Sequence, residues 1–278
     1  MSFCLDRQVV GVGWGVHETA PERELDWSAY TELANDLYGK VNGSPQMMHD
    51  LPADSLIWLR DRSATYYLAE VTGDWQYLHD AKSVEAEVHN VRPARIERVG
   101  VESEVPGAVI AGFRARRAVQ TVTSEVAARY SEFVFAKLAG RQSPVWQPSL
   151  DEVVKSLLSS QDLEDLISCY LQRRYGYLVM PGSMRADTPA YEFVLRHPDD
   201  GHEAVLQVKS GRSAVPLDAL PTDVKKAFVF SPMDTYSGEP GANVEKLLFP
   251  DIIDFMSTEP FSLPRRVETW VRYATGAE

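Results

Sequence analysis

Cysteine is scarce in this chain. Its 278 residues hold two, Cys4 and Cys169, far apart in sequence and without a CxxC neighbour. Free thiols in a reducing cytosol are therefore expected. Long apolar runs are also missing, and none approaches the ~20 residues that a membrane-spanning helix needs, so no membrane partner is expected. The opening MSFCLDRQVVGVGWG lacks a signal-peptide core and a cleavage pattern, which predicts a cytoplasmic protein. No GxGxxG opens a helix, and GVGWG is too short for a dinucleotide fingerprint. There is no internal repeat and no low-complexity tract. Positive charge is in deficit as well: 28 Lys and Arg against 40 Asp and Glu give −12, which argues against indiscriminate coating of nucleic acid.

What is present is ordinary globular material. Hydrophobic content of 44% beside 24% charged residues supplies real cores, and the length suggests two domains. The charge is unevenly spread. Residues 1–89 carry −9 and residues 148–278 carry −7, whereas residues 90–147 carry +4. This basic island contains Arg92, Arg95, Arg98, Arg114, Arg116, Arg117, Arg129, Lys137 and Arg141, and its bland reading is a solvated surface.

The front of the chain reads as short strands between turns. RQVVGVGWGV, SLIWLRD, TYYLAEVTG, WQYL, RIERVGV and GAVIAGF follow at close spacing and predict a compact β-barrel-like module. SAYTELANDLY, from Ser28 to Tyr38, and residues 124–139 have helical spacing. GRQSPVWQPS, residues 140–149, interrupts any period with Gly, Ser and two prolines and is the linker candidate. It separates expected domains at 1–145 and 146–278.

Behind the linker the pattern changes. LDEVVKSLLSS predicts a short helix. In DLEDLISCYLQRRYGY, Leu163, Leu166, Ile167, Tyr170 and Leu171 form an amphipathic stripe. Asp162 is the expected N-cap, Asp165 the first-turn acid, and Gly176 the stop. YLVMPG, AYEFVLR, EAVLQVKS and KAFVFS then read as strands. NVEKLLFPDIIDFMS and PRRVETWVRYA read as closing helices. The predicted fold class is α/β (α+β), with a mixed sheet flanked by helices in the rear domain.

Within EAVLQVKS, Gln207 and Lys209 share a strand face with Val205, while Leu206 and Val208 point the other way. An unpaired Lys on a packed face is costly, so that face looks into water or into a site. The turn HPDDGH predicts a hairpin with the preceding strand, which carries Glu192. Asp187 lies just before that strand, and Glu164 sits beside the apolar stripe of the upstream helix. Carboxylate and amide oxygens suit Mg²⁺, a bound metal activates water, and a nearby Lys stabilises charge developing on phosphorus. The plain alternative is an α/β domain with Lys209 snorkelling to an edge.

The ordered set DLEDLISCYLQRRYGY, YEFVL and AVLQVKSG, over about residues 150–230, resembles the Mrr-like branch of the PD-(D/E)XK nucleases. Gln stands where the superfamily usually has an acid, as in that branch. The resemblance implies a Mg²⁺ (or Mn²⁺) site made by Glu192 or Asp187 and Gln207, and their placement on adjacent strands adds the Val208 carbonyl to it. It also implies Lys209 as the catalytic lysine and Glu164 as the supporting helix acid. The family's first-strand acid is usually Asp, and Glu192 is longer.

In the front module Trp14, Trp27, Trp58, Tyr66, Tyr67, Trp75 and Tyr77 concentrate aromatic surface. They form either a core or a pocket that holds an extruded base between rings. SLIWLRDRSATYYLAEVTGDWQY resembles the EVE/PUA-like modified-base readers that precede some Mrr-like nucleases. Trp14, Trp58, Arg60, Tyr67 and Trp75 are the pocket candidates. The expected protein is a Mg²⁺-dependent endodeoxyribonuclease that restricts modified or foreign DNA in defence, with a homodimer one route to double-strand cleavage. The alternative is a non-catalytic modified-base or nucleic-acid binding protein.

Overall fold

The computed structural model describes residues 1–16, 24–41, 43–115, 117–180 and 191–276. Expected Asp187 and Arg116 lie outside these described residues, as do the ends of the YLVMPG and AYEFVLR runs. The chain is mixed α/β and divides into two compact units. Unit 1 comprises Met1–Glu102, Gly112–Thr123 and Ala128–Val145, and unit 2 comprises Ser103–Ala111, Ser124–Ala127 and Trp146–Glu278.

Unit 1 contains α1 (Ser2–Arg7), β1 (Val9–Val12), α2 (Trp27–Tyr38), α3 (Gly43–Asp50), β2 (Leu56–Arg60), β3 (Tyr66–Val71), β4 (Gln76–Tyr77), α4 (Ala81–Ala86) and β5 (Asn90–Gly100). Its five strands form one antiparallel sheet, ordered β1-β5-β3-β2 with β4 on β5, that curls into a half-barrel. The long strand β5 serves two neighbours in turn. Asn90–Pro93 pair with β1, and Ala94–Gly100 pair with β3. Val10, Val12, Met48, Ala69, Val71 and Ala94 form one buried cluster on this sheet. Helix α2 starts where Asp26 accepts the Ala29 N–H at 2.8 Å, and it ends at Gly39, whose φ of 77° favours glycine.

α5 (Gly107–Arg114) and α6 (Glu125–Leu138) each contribute residues to both units. The expected GAVIAGF strand is therefore a helix. The Val109 and Ile110 N–H groups both turn back to the Pro106 carbonyl, at 2.9 and 3.1 Å, and both side chains are buried. Gly107 is pressed so close to the Leu158 carbonyl that a Cβ would meet its oxygen at 2.4 Å.

Unit 2 continues with α7 (Leu150–Glu152), which runs into a π-turn at Val153–Leu157, then α8 (Ser160–Tyr175), β6 (Leu178–Val179), β7 (Phe193–Arg196), β8 (Glu203–Val208), β9 (Val215–Pro216), β10 (Lys226–Phe230), β11 (Tyr236–Ser237), β12 (Val244–Lys246), α9 (Phe249–Thr258) and α10 (Arg265–Thr275). The main sheet runs β12-β10-β8-β7-β6. It is antiparallel from β6 to β8 and parallel from β8 through β10 to β12. Both faces are covered, as parallel strands require. Leu206, Phe228 and Phe230 are buried on one face, and Val205, Ala227 and Val229 pack with Val215, Leu217 and Leu220 on the other.

Two boundaries differ from expectation. The N-cap of α8 is Ser159 rather than Asp162. Asp162 is the third helical residue and closes a capping box with Ser159, leaving Asp165 a turn further on. NVEKLLFPDIIDFMS splits: Val244–Lys246 join β10 as a strand, and the helix starts at Phe249 with Pro250 in its first turn. No helix among the described residues is long and apolar enough to cross a membrane.

Candidate functional site

Strands β7 and β8 pair so that Phe193 opposes Leu206, and the Glu192 N–H extends the ladder to the Leu206 carbonyl at 2.7 Å. Glu192 therefore stands across from Gln207, on the same face. That face is packed rather than wet, because Gln207 is only 2% exposed beside Val205. A buried amide must find partners. Gln207 Nε2 donates to Glu192 Oε1 at 2.9 Å and to its neighbour's carbonyl, Val208 O, at 3.3 Å. Lys209 Nζ reaches the same Glu192 Oε1 at 3.4 Å, with both charged side chains about one-third exposed. The strand end thus places a carboxylate, an amide and an ammonium around one oxygen at the border of the sheet with solvent.

Helix α8 borders this strand end. Ser160, its first residue, hydrogen-bonds through Oγ to Ser210 Oγ at 2.8 Å, directly after Lys209. Glu164 lies one turn along from Ser160 on the same side of the helix and is half-buried. The structure gathers Glu192, Gln207 and Lys209 and sets the first turns of α8 beside them.

The donor set suits a hard cation. Glu192 Oε1 and Val208 O already converge on Gln207 Nε2, and the two ends of an amide exchange by a flip. The flip brings the Gln207 carbonyl oxygen alongside those two oxygens. Carboxylate, side-chain carbonyl and backbone carbonyl are Mg²⁺ or Mn²⁺ ligands. Thiolate chemistry is not in play here: burial pushes both the Cys4 and Cys169 thiols up, as expected for inert free cysteines.

Unit 1 holds a separate feature, an open pocket of about 440 Å³ lined by Asp26, Trp27, His49, Asp74, Trp75 and Arg92, among others. Trp27 and Trp75 meet at 83° with centroids 5.1 Å apart, and His49 lies on Trp27 at 4.2 Å. Arg92 is buried and braces the wall. Its Nε donates to Gly73 O at 2.7 Å, and its Nη1 reaches Met48 O, His49 O and Leu51 O at 3.2, 3.2 and 2.7 Å. This removes Arg92 from any solvated basic surface. Arg95 and Arg141 stay partly exposed at the surface, Arg95 bonding to Glu97 and the Ala139 carbonyl and Arg141 pairing with Glu70.

Of the five expected reader residues, Trp75 alone lines this pocket, and its buried Nε1 has no partner among the described residues. Trp14 packs on the core around Val10 and Met48. Trp58 donates from Nε1 to Ser131 Oγ at 2.9 Å and stacks on Tyr130. Arg60 covers the Tyr66 ring, and the Tyr67 hydroxyl donates to Asp61 at 3.2 Å. Trp27 and His49 are the ring-bearing pocket residues outside the five candidates. The signal for Trp27 was its membership of the aromatic concentration. His49 gave none, because GSPQMMHD shows no clear stripe.

Compared with known proteins, the chain matches no family model, no curated protein and no solved structure.

Proposed function

We propose that the chain is a divalent-metal-dependent DNA endonuclease of the Mrr-like PD-(D/E)XK kind, with a modified-base reader in unit 1. The observation that carries this reading is the convergence of Gln207 Nε2 and Lys209 Nζ on Glu192 Oε1, at 2.9 and 3.4 Å. Supporting it, three antiparallel strands follow a helix, and a fourth runs parallel to the strand that holds Gln207 and ends just before Lys209.

Glu192, Gln207 and the Val208 carbonyl would hold Mg²⁺ or Mn²⁺. When bound, the metal lowers the pKa of a coordinated water and neutralises charge on the scissile phosphate. Gln207, fixed by the core, sets where Glu192 lies. Lys209, on the half-exposed edge, orients the attacking water through its ammonium hydrogens and stabilises the developing oxyanion. The acidic net charge keeps attraction to ordinary DNA phosphates low, so selection falls to the reader. In unit 1 the Trp27, His49 and Trp75 rings offer stacking surfaces, and Asp26 and Asp74 offer polar groups for a base edge. Restriction of foreign DNA in the cytoplasm, with pairing of two copies for double-strand cuts, completes the proposal.

A second reading is a non-catalytic modified-base binder. It is favoured by the Glu192–Lys209 ion pair, which already satisfies the carboxylate without a metal. One experiment separates the two. Purified protein is incubated with a panel of unmodified and base-modified DNAs, with Mg²⁺, with Mn²⁺ and with EDTA. Cleavage that needs the metal and is lost in Lys209→Ala is the expected outcome. Binding without cleavage of any substrate under every metal condition leaves the second reading.

A further inference from the structure

The hairpin turn joining β7 to β8 carries another cluster of ligating groups, none of which serves the site above. His197, Asp200 and His202 each present one ligand atom, and these atoms lie within 4.8 Å of one another. We propose that this His–Asp–His cluster is a transition-metal site, with Zn²⁺ as its fitting occupant.

The chemistry selects the ion. Two imidazole nitrogens and one carboxylate, with water in the remaining position, are a zinc donor set that also accepts Co²⁺ and Ni²⁺. Mg²⁺ favours oxygen alone, so the two metal sites of unit 2 discriminate between ions by donor type.

The geometry is formed by the backbone. The His197 N–H donates to the His202 carbonyl at 2.9 Å, and the Gly201 N–H donates to the His197 carbonyl at 2.9 Å. Gly201 sits at φ 70°, where glycine is favoured, and closes the turn tightly enough to bring the two imidazoles together. Their rings lie parallel within 7°, with centroids 5.1 Å apart. His202 Nδ1 and Asp200 Oδ1 are in direct hydrogen-bonding contact, so both ligand atoms face one point.

An outer partner is in place as well. The Tyr177 hydroxyl lies 2.8 Å from His202 Nε2. As a metal enters, the proton that His202 Nδ1 shares with Asp200 gives way to the ion, and the neutral ring carries its proton on Nε2 instead, where it donates to the Tyr177 oxygen. The cluster also gathers positive charge already: Lys225 Nζ lies 3.1 Å from Asp200 Oδ2 and 3.4 Å from His202 Nδ1. The Lys225 side chain is 57% exposed, so it swings into water as a metal enters. Asp199, with a carboxylate oxygen 3.9 Å from His197 Nδ1, adds negative charge at the rim. The role this gives the metal is structural, as a clip on the turn between the strands of Glu192 and Gln207. It stands whether or not those residues cut DNA.

The test uses untagged full-length protein stripped of metal by a chelator. It is titrated with Zn²⁺ by calorimetry and with Co²⁺ by its visible absorption. One equivalent is expected, together with a Zn²⁺-dependent rise in Tm that Mg²⁺ does not produce. His197→Ala and His202→Ala should each weaken uptake at least about 10-fold, and Tyr177→Phe should fall towards that range as the outer partner is lost. Lys225→Ala, a change at an exposed position that leaves the fold intact, should bind several-fold tighter because the competing ammonium is gone. No stoichiometric uptake by wild type and Lys225→Ala would overturn the proposal. So would uptake that His202→Ala leaves unchanged.

Discussion

Trp27 and His49 stack with ring centroids 4.2 Å apart and planes 21° from parallel, although they come from different helices, α2 and α3. With Trp75 they make the aromatic wall of the unit 1 pocket. Trp27→Ala and Trp75→Ala should each weaken binding to the preferred DNA by about 1–3 kcal/mol, the value of one base–aromatic stack. Trp58→Ala should instead lower stability, because it removes a ring stacked on buried Tyr130 and the partner of buried Ser131. Fluorescence binding isotherms beside urea denaturation check both halves. Equal binding by all three variants would locate the reading surface elsewhere.

Lys209 and Gln207 should both matter for cleavage but differ in their effect on stability. Lys209→Ala removes a partly exposed ammonium, so its stability should stay within about 0.5 kcal/mol of wild type. Its cleavage rate should fall on the order of 100-fold or more. Gln207→Ala opens a hole beside Val205 and leaves Glu192 without its amide donor. It should cost about 1–3 kcal/mol in stability and lose activity as well. Single-turnover cleavage beside thermal melts gives the comparison, and a Lys209→Ala enzyme with wild-type rate would end the nuclease reading.

Arg92 predicts a large structural effect. Hydrogen bonds from a charged group are worth about 1.5–3 kcal/mol each, and Arg92 makes four to backbone carbonyls. Arg92→Ala should destabilise unit 1 by on the order of 3–5 kcal/mol. Arg92→Lys should recover part of that, because a point charge cannot span the same acceptors. A stable Arg92→Ala variant that loses only DNA affinity would return this residue to the basic surface.

Tyr30 gives a pH signature at the alkaline end. It is fully buried, and burial pushes its phenol up to about 12 even though the Asn90 side chain donates to its oxygen. Because the folded value is raised, the contribution is complete below pH 10, where the unfolded phenol still holds its proton. It is lost as pH rises from 10 to about 12, at about 1.4 kcal/mol per pH unit. Denaturation midpoints between pH 9 and 12 should fall less steeply in Tyr30→Phe. Identical slopes would show that the phenol titrates normally.

What the sequence made legible was whatever repeats locally. The period of two put Gln207 and Lys209 on one face, and HPDDGH marked the hairpin that sets Glu192 opposite Gln207. The stripe from Leu163 to Leu171 became the buried side of α8. Features decided by distant packing were not legible. GAVIAGF reads as a strand until Gly107 meets the Leu158 carbonyl. His49 becomes a pocket residue because Arg92, 43 positions away, holds its backbone. Trp58 and Trp75 look alike in sequence, and only the fold sets one against Ser131 and the other beside Trp27 and His49. The S-x-x-D capping box at Ser159 was readable, but the eye falls on the acid that belongs to the box rather than on the serine that opens it.

The divided pairing of β5 has a consequence for how the protein is made. Val9 is paired with Pro93, so the first strand of the half-barrel leaves the ribosome long before its partner exists. At about 5–20 residues per second the delay is on the order of ten seconds. During that interval VVGV carries unpaired backbone donors and acceptors and an apolar face, the features that recruit foreign strands. Until residue 93 emerges, β1 therefore stays without the sheet partner that buries it in the folded protein.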